Sequence, residues 1–169
     1  MDLNSARNFI PCAFPVSEPI FIPQSGFRAI NRAFEQIVGP ADLTLISYPN
    51  EIFDLNNEYN PITSTFTPKQ NGVYLIIASI GFFPDVPASY SARIFITING
   101  EAVVADNDFL SEELEIVNLV SVSTILKLPA GSNVQVIAQA TTDGKTVPEP
   151  LLGTVDFMHF EAARFPSPT

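Results

Sequence analysis

The chain has one cysteine, one histidine, no tryptophan and only eight lysines and arginines in 169 residues. A single Cys12 cannot close an intrachain disulfide, so covalent staples do not hold this fold. One histidine leaves no room for a His-rich zinc site, and any Ser-His-Asp or Cys-His pair would have to use His159. That residue sits between Met158 and Phe160 in a strand-like stretch, where a structural role is expected. Basic residues are few and scattered in a chain of net charge -10, which excludes a nucleic-acid-binding surface. No apolar run reaches the about 18 residues of a membrane helix, so no membrane partner is expected. The N-terminus MDLNSARNFI lacks the basic segment, apolar core and cleavage site of a secretory signal. Phosphate-cradling glycine loops, nucleophile elbows and cysteine clusters are also missing. No enzyme and no cofactor are expected.

What the chain has is apolar bulk and turn chemistry. Hydrophobic residues make up 46% and charged residues only 15%, more apolar surface than one small domain needs, which suggests subunit contacts. Tyr59 to Phe83 reads as a turn at Asn60-Pro61, a short strand Thr63 to Thr67, a second turn from Pro68 to Gly72 and a long strand. In that strand Tyr74, Ile76, Ala78, Ile80 and Phe82 alternate with Val73, Leu75, Ile77, Ser79 and Gly81, and neither side is polar. An antiparallel sheet usually keeps one wet face, so this strand asks for an opposing sheet on one side and a second subunit on the other.

The same stretch resembles the globular head of the complement C1q and tumour necrosis factor superfamily, with Tyr59, Pro61, Phe66, Thr67, Gly72 and Tyr74 at the positions of its signature. RIFITING (93–100), STILKLPAGSNVQV (123–136), FMHFEAARF (157–165) and SGFRAI (25–30) resemble its later and opening strands. The resemblance implies an all-β jelly-roll sandwich over residues 25–169 and a homotrimer, with Tyr74, Ile76, Ile80, Phe82, Phe157 and Phe165 as its core and interface residues. Bacterial relatives include spore-surface heads and appendage subunits made inside the mother cell, so the resemblance implies a cell or spore surface location that needs no signal.

Residues 1–24 read as a separate arm. Pro11, Pro15, Pro19 and Pro23 recur every four residues, which forbids helix and leaves an extended segment. It carries Phe9, Ile10, Phe14, Ile20, Phe21 and Ile22, with Cys12 among them, and such apolar content wants a groove. That groove lies either on the arm's own barrel or on a neighbouring subunit, and Phe9, Phe14 and Phe21 are the expected anchors. With no Gly-X-Y stalk in the sequence, the arm favours head-to-tail assembly of trimers into a fibre or layer. The alternative is a trimeric recognition head that binds a protein or glycan through apical loops.

Elsewhere, Phe27, Ile30, Phe34, Ile37 and Val38 fit a helical face as well as a strand and turn. Leu43 to Ser47, Ile52 to Leu55, Tyr90 to Ile98, Val117 to Leu128 and Val134 to Ala140 read as strands, about ten in all with those above. In Tyr90 to Ile98 the outward residues are Ser91, Arg93 and Thr97. Glu101, Asp106, Asp108, Glu112, Glu113 and Glu115 form an acidic segment expected to be a solvated loop. Asp106 and Asp108 come nearest to calcium ligands, as in family members that bind calcium near the trimer apex, but their spacing is not that of a known calcium loop, so no metal is expected.

Overall fold

The computed structural model describes residues 24–32, 34–111, 116–148 and 155–166. Residues 1–23 of the arm, with Phe9, Ile10, Cys12, Phe14, Ile20, Phe21 and Ile22, lie outside the described residues, as do Glu112, Glu113 and Glu115. Thirteen strands and no helix occur among the described residues: β1 Gly26–Ile30, β2 Ile37–Val38, β3 Thr44–Leu45, β4 Asn50–Asp54, β5 Tyr59–Asn60, β6 Thr65–Phe66, β7 Gly72–Pro84, β8 Tyr90–Ile98, β9 Glu101–Leu110, β10 Asn118–Leu128, β11 Val134–Ala140, β12 Gly144–Thr146 and β13 His159–Arg164.

They form two antiparallel sheets of seven and six strands. The first runs β4-β1-β13-β7, with β10 along the other side of β7; β12 and β2 continue the sheet where β13 ends. The second runs β5-β6-β11-β8-β9, with β3 sharing the flank of β11. This is a jelly-roll sandwich, as expected. Its excess over ten strands comes from the two- and three-residue pieces at the sheet margins. The helix-compatible stretch Phe27 to Val38 is strand β1 and the short β2 with a connection between them, because β1 pairs on both sides, with β13 and β4.

The core is the space between the sheets. Tyr74, Ile76, Ala78, Ile80 and Phe82 project into it from β7, and Tyr90, Ala92, Ile94 and Ile96 meet them from β8. Phe27 lies between the rings of Tyr59, Phe66 and Phe160. Turn chemistry works where positive φ is needed: Asn99 (52°) and Gly100 (87°) make the β8–β9 hairpin, and Gly131 (82°) makes the β10–β11 turn. Gly72, in contrast, needs no positive φ: it opens β7, with the side chain of Arg164 lying over it. Asn71 ends the preceding turn and accepts a hydrogen bond from Ala130 N through its side chain, at 2.8 Å.

Two expectations are corrected. Thr97 keeps the outward side of β8, opposite Gln135, but is buried there and not in water; its hydroxyl donates to Gln135 O at 3.2 Å, and the β8–β9 register slips beside it, between Ile96 and Thr97. Glu101, Asp106 and Asp108 are not in a loop but in edge strand β9, whose side chains are almost all exposed.

The root of the arm is tied to the barrel by a buried carboxylate. Glu58 accepts from Ser25 Oγ, from Lys69 N (2.7 Å) and from Asn56 Nδ2 (3.1 Å). Arg164 N donates to Ser25 O at 3.0 Å, fixing the same point from β13. Truncating the acid strands a hydroxyl and a backbone N–H, so Glu58→Ala is expected to cost about 2–4 kcal/mol of stability by urea unfolding. A loss under about 0.5 kcal/mol would mean that water replaces these bonds.

Candidate functional site: the outward face of the β7 sheet

The other side of β7 is where the chain has surface to offer. Register places the side chains in rows across the sheet. Phe53 of β4, Arg28 of β1, Glu161 of β13, Ile77 of β7 and Ser123 of β10 form one row. Ala163, Leu75 and Ile125 form the next, and His159, Ser79 and Ser121 the one on the opposite flank. Val73, Leu75 and Ile77 are half-buried, while Leu119 is 52% and Ile125 60% exposed.

The face is not uniform along β7. Ser79 donates to Phe157 O at 2.7 Å, and Gly81 is covered by Val147 O, Val117 and Leu119. Towards its C-terminal end, therefore, the chain covers its own second face. From Val73 to Ile77 it does not, and a cleft of about 170 Å³ opens there, lined by Phe27, Phe53, Leu75, Ile77, Glu161, Ala162 and Ala163. A charged strip borders it. Arg28 pairs with Glu161 at 2.6 Å and with Asp156 at 3.8 Å, and Arg32 pairs with Asp156 at 2.6 Å.

The residues singled out from sequence divide between the two sides. Tyr74, Ile76, Ile80 and Phe82 are fully buried in the sandwich, so they build the core and have no surface to offer a partner. Phe157 is half-buried in the segment before β13, and Phe165, just past β13, is 41% exposed with its N–H donating to Val73 O at 2.8 Å. Two-sided apolarity pointed to this strand, but large aromatics drew attention to its inner side. The pattern in β10 marks the outer side: Leu119, Ser121, Ser123 and Ile125 are exposed between the buried Val120 and Val122. Asp106 and Asp108 join no group of three acids, histidines or cysteines able to hold a metal among the described residues.

His159 stands at the border of this face. Its Nδ1 lies 3.6 Å from Glu161 Oε1. Burial pushes its pKa below the ordinary 6.5, with Arg28 pushing the same way and Glu161 and Asp156 pulling it up. A base whose folded pKa is depressed binds more protons when unfolded. Stability is therefore complete above about pH 6.5 and declines as pH falls through that value towards the depressed one. His159→Gln should flatten this part of the stability profile; an unchanged slope between pH 7 and 5 would assign it to other groups.

No family model matches the sequence, and no curated protein matches it. The fold has neighbours among solved structures. The globular domain of zebrafish complement 1qA protein superposes with a TM-score of 0.54 at 17% identity, over 82% of this chain and 94% of that one. Eiger TNF from S. frugiperda superposes with a TM-score of 0.61 at 14% identity, over 88% of this chain and 96% of that one. The sandwich is thus a C1q/TNF-like jelly roll. At these identities the likeness is one of fold.

Proposed function

We propose that the chain is a non-enzymatic structural subunit. Three copies pack through the outward face of β7, and residues 1–24 join one trimer to the next in a fibre or layer at a cell or spore surface. The observation that carries the reading is the uncovered strip from Val73 to Ile77 with Ile125 and Ala163 beside it, on a sheet whose other side already forms a complete core. Three identical contacts in a ring would cover that strip on every copy and leave no growing edge, and three is the number implied by the resembled family. Polymer growth then falls to the arm, an open contact that does not close on itself.

Light scattering and electron microscopy of the full chain, beside a chain beginning at Ser25, test both levels. The full chain is expected to form assemblies larger than a trimer and the shortened one trimers only. A monomer at micromolar concentration overturns the first level, and equal assembly of both chains overturns the second. A second reading, a recognition head, is favoured by a polar cleft of about 360 Å³ lined by Asn60, Thr63, Thr65, Thr67, Asn133 and Gln135. Amides and hydroxyls of that kind suit a hydroxyl-rich ligand. A full chain that stops at the trimer would transfer weight to it.

A further inference from the structure

The arm's proline period has a parity. Pro11, Pro15, Pro19 and Pro23 all fall on odd positions. In an extended strand the N–H and C=O of successive residues point to opposite edges, and side chains alternate between faces with the same period of two. All four prolines would therefore lie on one edge of an extended arm, where a missing N–H costs nothing, and every even residue would offer its full backbone pair to the other edge. The even side chains are Ile10, Cys12, Phe14, Val16, Glu18, Ile20 and Ile22, six of them apolar. This is the pattern of a strand made to add to one sheet edge and to refuse a further strand.

The sandwich leaves one matching edge among the described residues. β9 and β10 are long, but they lie against each other without pairing, and β9 carries Glu101, Asp106 and Asp108. β2, β3 and β5 are two residues long. β4 ends the seven-stranded sheet, pairs only with β1, and has five residues, the length of one Pro-x-x-x-Pro unit. Ile52 (53%), Phe53 (44%) and Leu55 (57%) are exposed on and beside it. Such an edge is normally covered.

We infer that the Pro11–Pro15 unit of one copy adds as a strand to the free edge of β4 in a neighbouring copy, with the backbone of Cys12 and Phe14 facing β4. This rests on the assembly reading above and names its acceptor. The reach allows a neighbour: the ten residue steps from Phe14 to Gln24 span up to about 33 Å when extended, near the width of a domain of this size. The chain's own β4, beside β1, is within the same reach, so the choice of a neighbouring copy comes from the assembly reading.

Cys12, the only thiol, is a reporter already in place. Glu51→Cys, Ile52→Cys and Phe53→Cys are introduced singly into the full chain, which is oxidised with diamide and run on a non-reducing gel. At least one is expected to give a disulfide between chains, since adjacent strands bring Cα atoms within bonding range. Failure of all three, or a disulfide only within one chain, overturns the inference. Parity is tested by Cys12→Pro, which places a proline against β4, and Ala13→Pro, which places it on the outer edge, with Cys12→Ala controlling for the thiol. Assemblies larger than a trimer should fall at least tenfold in Cys12→Pro and persist in the other two. Equal assembly of Cys12→Pro and Ala13→Pro refutes strand addition alone, whereas an unmodified chain that never exceeds a trimer removes the assembly reading itself.

Discussion

Phe27→Ala should lower the unfolding free energy by about 3–5 kcal/mol, the range for emptying a well-packed aromatic site. Phe27 is 1% exposed and lies flat against two rings, Tyr59 at 4.5 Å and 10° and Phe66 at 4.9 Å and 26°, with Phe160 edge-on at 5.0 Å and 85°. Tyr59 in turn donates its hydroxyl to Tyr48 O at 2.8 Å, and Tyr48 donates to Ser79 O at 3.1 Å on β7. Removing the ring therefore opens a cavity under β1 and loosens neighbours that hold the two sheets together. Ring pairs of this geometry add roughly 0.5–1.5 kcal/mol each beyond area burial, which places the substitution toward the upper part of the range. Tyr74→Ala, equally buried, belongs in the same range. Ile62, 92% exposed, serves as the control, and its replacement by Ala should stay within about 0.5 kcal/mol. Because self-association adds to apparent stability, all variants are compared by urea unfolding at one protomer concentration. A loss under about 1 kcal/mol for Phe27→Ala would mean that the cluster collapses to fill the gap.

The parts of this architecture that showed in the sequence are those whose period matches their environment. β11 has the expected bounds Val134–Ala140, and Tyr90–Ile98 is β8, because each alternates cleanly between the core and a wetter side. Period alone could not find the slip at Thr97, since a bulge is a disagreement between two strands and only one is visible at a time. The acidic segment looked like a loop because a strand with both faces in water loses its alternation. β9 comes close to that, with only Val104 and Leu110 half-buried against the core and the rest held by the ladder to β8. The helical spacing from Phe27 to Val38 was outweighed by pairing of β1 on both flanks. For the candidate site, apolarity on both sides of β7 announced that a second face existed. Which half of that face stays open depends on where the segments around Val117, Val147 and Phe157 pass over it, and these contacts are distant in sequence.

Adjacent residues of β7 separate core from contact surface, so Ile77→Asp should dissolve the trimer and leave the monomer folded. Ile77 projects outward, paired with Ser123 on one side and Glu161 on the other, while Ile76 is fully buried in the sandwich. In the isolated chain an aspartate at 77 reaches water, and surface changes of that kind shift stability by only about 0.5 kcal/mol. In the trimer it is placed in a covered apolar strip beside Glu161. Loss of a buried isoleucine removes roughly 1.5–3 kcal/mol, and an uncompensated polar group adds about 1–3 kcal/mol more. A ring of three repeats that loss at each of three contacts, for a total near 10 kcal/mol, which moves the association equilibrium by roughly seven powers of ten. At micromolar protein, light scattering should then show monomers with an unchanged β-sheet circular dichroism spectrum. Ile77→Val, which keeps the surface apolar, should remain trimeric. Ile76→Asp should fail differently, by unfolding, because its carboxylate has no exit from the core. Trimers that survive Ile77→Asp would place the contact on another face of the sandwich.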